Sequence, residues 1–207
     1  MEKPLILVTT SHRPTQRVRS FVKDLVSVLP RAVKLNRGKS SLQGLYYDAR
    51  GLGAKRVVVV STWKGNPGTI TVYEPLEPPD EGLKPLVSLR LRGVKLSRET
   101  PGAVRSRGVS SLGVYPEGSE PQRLLADALV RGFLARLLLD PETPGFDAVA
   151  HVEAVPGLVG VVRFTCGGRR CGPEMRVVSL HDYVAGVRLR GAERPAGEAG
   201  RGSSEGA

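Results

Sequence analysis

Residues 57–60 are four consecutive valines between Arg56 and Ser61. Valine's branched Cβ suits a pleated chain and crowds the preceding turn of a helix, so the run predicts a β-strand over residues 56–62. A half-exposed strand alternates apolar with polar side chains. A strand that does not alternate is central and covered on both faces, and the rest of the chain has to supply those covers.

The flanking segments are patterned to do so. Residues 5–9 read as a short buried strand that ends in the turn Thr10-Ser11-His12-Arg13-Pro14, whose hydroxyls are placed to cap a helix. That helix starts near Pro14 or Thr15. Its apolar residues Val18, Phe21, Val22, Leu25, Val26 and Leu29 form one stripe, and Pro30 ends it. Gln16, Arg19 and Lys23 lie on the opposite face, with Arg13 and Arg17 at the open end. Residues 32–35 predict a second strand. The turn at residues 36–40 leads into a second helix with Leu42, Leu45, Tyr46, Ala49 and Leu52 on one side.

After the valine strand, residues 64–68 read as a turn and residues 69–73 as a strand. A Pro/Glu-rich connection occupies residues 74–85. Val87, Leu89 and Leu91 alternate with Ser88, Arg90 and Arg92, as in a half-exposed strand. Residues 97–121, rich in Gly, Ser, Pro and Arg, are expected to be a long basic crossover. The second half predicts a helix from residue 121 to about residue 139 with Leu125, Leu129, Phe133 and Leu137 inward. Strands are expected at residues 148–155, 158–165, 174–180 and 184–190. Residues 191–207 are expected to be a flexible tail. The class is α/β, of the α+β kind, with a mixed sheet and helices in each of two halves, although no sequence repeat relates them.

Charge points to the partner. The chain of 207 residues has a formal charge of +11, which speaks to partners rather than to fold. Residues 1–56 carry +9, residues 57–115 carry +3 and residues 116–207 carry −1. Solubility charges come in both signs, so a concentrated basic block favours a polyanion. Nucleic acid is favoured over membrane, because the bulky apolar residues are committed to a core. No run reaches the roughly 18 apolar residues of a membrane span. Met1 to Thr10 has no secretory pattern, so an intracellular protein is expected. Arg (23) outnumbers Lys (8) and Asn is rare (2), a bias shared by heat-adapted proteomes and high-GC coding.

Catalytic chemistry finds no footing. Gly38-Lys39-Ser40 looks like the end of a phosphate-binding P-loop, but the position five residues earlier, where that loop needs glycine, is Val33. What survives is a helix start that favours an anion, with Arg37 and Lys39 beside it, and residues 9–17 repeat the arrangement. Two such helix starts can grip two phosphates of one backbone. His12, His151 and His181 have no metal-ligand spacing, and no cofactor is expected. Asp147, Glu153 and Asp182 read as surface residues. Cys166 and Cys171 flank a hairpin tip, where a disulfide and two free thiols are both open readings. Arg163, Arg169, Arg170 and Arg176 are read as a solvated turn rather than a second RNA contact. Tyr46 is placed in the core, and Tyr47 and Trp63 are candidate stacking platforms for unpaired bases.

Leu7-Val8-Thr9-Thr10-Ser11-His12-Arg13-Pro14, the amphipathic helix, Lys34-Leu35-Asn36-Arg37-Gly38, the valine strand and the Trp63-Lys64-Gly65 turn together resemble the opening of the Brix domain of ribosome-biogenesis proteins. The likeness is greatest to the branch that works in small-subunit ribosomal RNA processing, including compact archaeal relatives. It runs well through about Tyr73 and thinly through Arg190. The resemblance implies a domain over residues 1–190. Its halves, about 1–97 and 98–190, would each be like the anticodon-binding domain of class II aminoacyl-tRNA synthetases and be related by a pseudo-twofold. It implies binding to pre-ribosomal RNA without catalysis, other assembly proteins as partners, and a cytoplasmic location in an archaeon or a nucleolar one in a eukaryote.

The resemblance places RNA contact on Arg13, Arg37 and Lys39. His12, Lys34 and Lys64 stand in the same motifs, and Arg17, Arg19 and Lys23 join the set from the helix face. In the second half, Val162-Arg163-Phe164-Thr165 and Ser179-Leu180-His181-Asp182-Tyr183 stand where the family has an Arg-His-rich strand and a Gly-Pro-Arg-Phe-like turn. The alternative readings are a tRNA or general single-stranded RNA binder and a protein scaffold of the pre-ribosome.

Overall fold

The computed structural model describes residues 3–78 and 80–191. Strand β1 (Ile6–Thr10) is buried along its whole length. The chain leaves it through a short turn into helix α1 (Gln16–Val26), where the Thr15 hydroxyl caps the helix by accepting from the Val18 N–H at 3.3 Å. β2 (Ala32–Lys34) comes next. Helix α2 (Leu42–Leu52) begins behind Ser41, whose hydroxyl accepts from the Gly44 N–H at 3.1 Å, and it ends at Gly53 in the left-handed region. β3 (Arg56–Trp63), β4 (Asn66–Pro75) and β5 (Leu83–Lys95) form a meander. A single 3-10 turn at Ser97–Glu99 opens the crossover.

The second half consists of β6 (Leu112–Glu117), α3 (Glu120–Phe133), β7 (Arg136–Leu137), β8 (Ala148–Glu153), β9 (Gly160–Cys166), β10 (Arg169–Asp182) and β11 (Val187–Arg190). All eleven strands of the described residues join one mixed sheet in the order β2-β1-β3-β4-β5-β10-β9-β8-β6-β7, with β11 paired to β10. β1 runs parallel to β2 and β3, and β6 runs parallel to β7 and β8. The remaining neighbours are antiparallel, so the order of connections is alike from either edge.

The valine run has both of its covers. Val58 and Val60 face α1 in a cluster that includes Phe21, Phe133, Phe164 and Leu89 and spans both halves. Val57 and Val59 pack on the other side with Leu7 and with Leu45 and Ala49 of α2. Alternate residues of a strand point to opposite faces, so only an unbroken apolar run fills both layers.

Several expectations are corrected. The crossover contains β6, hidden in the sequence because Gly113 and Pro116 break its apolar pattern; a Cβ on Gly113 would lie 2.4 Å from Leu138. The α3 helix stops at Phe133, where Leu134 takes a left-handed conformation, so Leu137 sits on β7 and is exposed. Leu42 and Leu52, at the two ends of α2, are exposed as well. β10 starts five residues before the expected strand, because Arg169 to Cys171 pair with β9. Asp182 is buried rather than on the surface. Its carboxylate pairs with Arg131 of α3 and accepts the N–H groups of Val184 and Ala185. Of the two open readings for Cys166 and Cys171, the disulfide is the one present, across the β9–β10 tip. Most of the expected tail, residues 192–207, lies outside the described residues.

Candidate nucleic-acid interface

Three loops meet where β1, β2 and β3 end. The Ser11 N–H donates to the Val60 carbonyl at 2.8 Å, and the Thr9 hydroxyl donates to the Leu35 carbonyl at 2.9 Å, fastening the strand ends together. The β1–α1 loop then touches both neighbours. His12 Nδ1 donates to the Gly38 carbonyl at 3.3 Å, and the Thr15 hydroxyl donates to the Gly65 carbonyl at 2.8 Å. The turns carrying Arg37 and Lys39 and the turn carrying Lys64 are thereby held on either side of Arg13.

Local backbone helps to shape the cluster. Arg13 has φ 52° and Lys64 has φ 46°, two of the four non-glycine residues at positive φ among the described residues. Such positions are strained for side chains with a Cβ, and they persist where surrounding contacts hold them. At the β3–β4 turn, a Cβ on Gly68 would lie 2.4 Å from that of Trp63. Glycine there lets the strands close under the indole, which is 60% exposed.

The structure treats the nine candidate residues differently. His12, Arg13, Arg37, Lys39 and Lys64 come together in the three loops. Arg13, Lys39 and Lys64 have no ion pair among the described residues, while Arg37 closes its own turn by donating from Nε to the Ser40 carbonyl at 2.9 Å. Lys34 is exposed on the edge strand β2, just before the loop that holds Arg37. Arg19 and Lys23 are exposed along α1.

Arg17 is spent inside the protein. Its guanidinium pairs with Glu99 and also donates to the Val94 carbonyl at 3.1 Å. The hydrogen bond to Glu99 raises the arginine's pKa and holds the Glu99 carboxyl below its ordinary range. The Asp24 carboxylate accepts the Ser97 N–H at 2.8 Å on the same flank of α1. This flank anchors the segment after β5, which helical periodicity alone does not reveal.

The other flagged residues separate in the same way. Tyr46 is buried, and Tyr47 is exposed with its hydroxyl donating to Glu81 at 3.0 Å. Arg163 pairs with Glu153 and Glu174, and Arg170 and Arg176 also pair with Glu174. Burial favours the neutral form of Glu174, but hydrogen bonds from Arg163 and Arg176 outweigh it and its pKa is lowered. Sequence reasoning read Arg90 and Arg92 only as the polar side of a strand and gave Arg190 no role. The pairing of strands places all three in one groove with Trp63. Among the described residues no cluster of His, Cys, Asp and Glu suits a metal ion, and no helix is long and apolar enough to cross a membrane.

No family model matches the chain. A probable Brix domain-containing ribosomal biogenesis protein from Aeropyrum pernix is 41% identical over 173 residues, which is 82% of this chain and 93% of that protein. A protein of the same description from Pyrococcus horikoshii is 45% identical over 95 residues, covering 46% of this chain and 41% of its own length. The crystal structure of the probable ribosomal biogenesis protein from Aeropyrum pernix K1 superposes with a TM-score of 0.76 over 84% of this chain and 95% of that one. Mil, an archaeal Imp4-like protein, shares the fold at 21% identity, with a TM-score of 0.62 over 85% of this chain and 99% of its own. With its opening motifs folded into one loop cluster and a relative this similar along nearly its whole length, the chain belongs to the family of Brix domain-containing ribosomal biogenesis proteins.

Proposed function

We propose that the protein acts in ribosome biogenesis by binding pre-ribosomal RNA, of the small subunit, and assisting its folding and processing without catalysing a reaction. The observation that carries this reading is the three-loop cluster. Arg13, Lys39 and Lys64 stand exposed and without ion pairs among the described residues, at the mouths of two helices, where helix dipoles also favour phosphate. His12 and Arg37 hold the loops, and Lys34, Arg19 and Lys23 extend the positive surface. The partners in this reading are pre-ribosomal RNA and other assembly proteins, and the site of action is the cytoplasm.

The halves are read as two copies of an anticodon-binding-like unit within one domain over residues 1–190, about 1–97 and 98–190, related by a pseudo-twofold. The matching order of connections from both edges of the sheet supports this. The test is a triple variant, Arg13→Ala, Lys39→Ala and Lys64→Ala, titrated against a small-subunit precursor transcript at several salt concentrations. Losing three phosphate contacts should lower the slope of log K against log salt by about 2 to 3 and leave Tm in place. Wild-type affinity and slope in the variant would refute the loop cluster as the RNA seat.

A further inference from the structure

The crossover between the halves is tied down at its two ends and once in its middle. At the start, Arg17 pairs with Glu99 and the Ser97 N–H donates to the Asp24 carboxylate. At the end, the Arg31 N–H donates to the Val109 carbonyl at 2.7 Å. Between residues 101 and 108, one hydrogen bond among the described residues leads to another part of the fold. In it the Val104 N–H donates to the Arg170 carbonyl at 2.8 Å. Val104 also lies beside Cys171 in an isolated parallel bridge. The middle tie is therefore made to the β9–β10 tip, which holds the Cys166–Cys171 disulfide.

The disulfide is not needed to close the hairpin. Gly167 and Gly168, at φ 56° and 74°, make a two-residue turn, and Cys166 already faces Arg169 across the ladder. Nor does it restrict the unfolded chain greatly, because its partners are only five residues apart and short loops close at small entropic cost. Its consequence lies in the folded tip. Cys171 is opposite Phe164 and Met175 is opposite Val162, so β10 uses four residues where β9 uses two. This break separates the tip from the main ladder. Gly172, in the break, has φ 61°, and a Cβ there would lie 2.5 Å from Val28 just past α1. The disulfide fixes Cys171 one residue before that contact and beside Val104.

The two cysteines differ in access. Cys171 is 2% exposed and packs in the main core, whereas Cys166 is only partly buried and has the exposed Arg169 directly across from it. A positive neighbour favours an approaching thiolate. We propose that the disulfide is a redox latch on the crossover, opened by a dithiol without unfolding of the protein. A thiolate of the dithiol attacks the Cys166 sulfur, the bond to Cys171 breaks, and Cys171 leaves as a thiolate that takes up a proton. The second thiol of the reductant then loses its proton, attacks the mixed disulfide and releases Cys166 as a thiol. The protein gains two electrons and two protons, and the dithiol becomes a disulfide. Freed of its cross-link, the tip moves on the break at Gly172 to Glu174. Val104 loosens with the exposed Arg105 and Arg107, while both ends of the crossover hold.

Hydrogen exchange of the full chain, air-oxidised and then treated with dithiothreitol in native buffer, tests the latch. The Val104 amide should exchange at least about tenfold faster after reduction. The Arg31 and Ser97 amides, whose partners lie outside the tip, should not change. Cys166→Ser, which leaves the buried Cys171 in place, should show the fast Val104 exchange with or without reductant. At Arg31 and Ser97 it should match the oxidised wild type.

An air-oxidised chain that still holds two free thiols overturns the proposal, as does a disulfide that dithiothreitol opens only in denaturant. Unchanged Val104 exchange in the reduced chain overturns it as well. Equal acceleration at all three amides would make the disulfide a general staple of the fold, and the latch would fall.

Discussion

The two ends of the sheet share an order of connections and differ in what they do with charge. At β1–α1 the turn carries His12 and Arg13, and the cap is a lone hydroxyl on Thr15. At β6–α3 the corresponding turn runs Glu117-Gly118-Ser119-Glu120. There the Ser119 N–H and hydroxyl both donate to Gln122 Oε1, at 3.1 and 3.2 Å, and Gln122 Nε2 donates to the Val159 carbonyl at 2.8 Å. One turn leaves positive charge facing outward, and the other is acidic and closed on itself. The second half also pairs several of its arginines, as Arg131 does with Asp182 and Arg163 with Glu174. In the RNA-binding reading proposed above, the same framework serves one half as a binding edge and the other as a brace.

The brace reading implies that the halves stand or fall together, because one apolar cluster runs through both. Phe21→Ala and Phe133→Ala each empty a fully buried site, and each should cost about 3–5 kcal/mol. Denaturant melts followed by two probes should show one transition in both variants. A Phe133→Ala protein whose first half melts separately would break the comparison.

A smaller effect sharpens it. Glu174→Ala leaves Arg163 and Arg176 without their shared carboxylate, at a cost of about 1–3 kcal/mol. Because the folded pKa of Glu174 is lowered, its contribution is fully present above the ordinary glutamate value of about 4.3. It is lost as pH falls through the lower folded value. Wild-type Tm should therefore drop below about pH 4, and a Glu174→Gln variant should show a shallower drop in the same series of melts. The smallest effect is expected at the first half's own brace. Arg17→Ala should lower Tm by about 2–4 °C, since it frees Glu99 and the Val94 carbonyl. RNA affinity that fell far more than stability would return Arg17 to the binding surface.

Local pattern made much of this legible. The valine run, the α1 stripe and the turn residues encode their elements through nearest neighbours in sequence, so β1, α1, β2, α2 and β3 are expected close to their observed ranges. β6 is not, because its two pattern breakers answer to the fold. Gly113 makes room for Leu138, and Pro116 lies past the two residues that β7 pairs, where the strand needs no donor on that side. The same limit applies to arginines. Nothing near Arg17 in sequence announces Glu99, 82 residues away.

The sequence by itself determined which segments are apolar on one side or on both, where the helices start, and that positive charge gathers in the first quarter. Those properties depend on residues a few positions apart. Tertiary structure alone decided which charges are left over. Pairing of β5 with β10 aligned Arg90 with Ser179 and so with Arg190, while packing of α1 against the segment after β5 consumed Arg17. A charge counts toward a binding surface only after its neighbours in space are known, and strand register, not spacing along the chain, sets those neighbours.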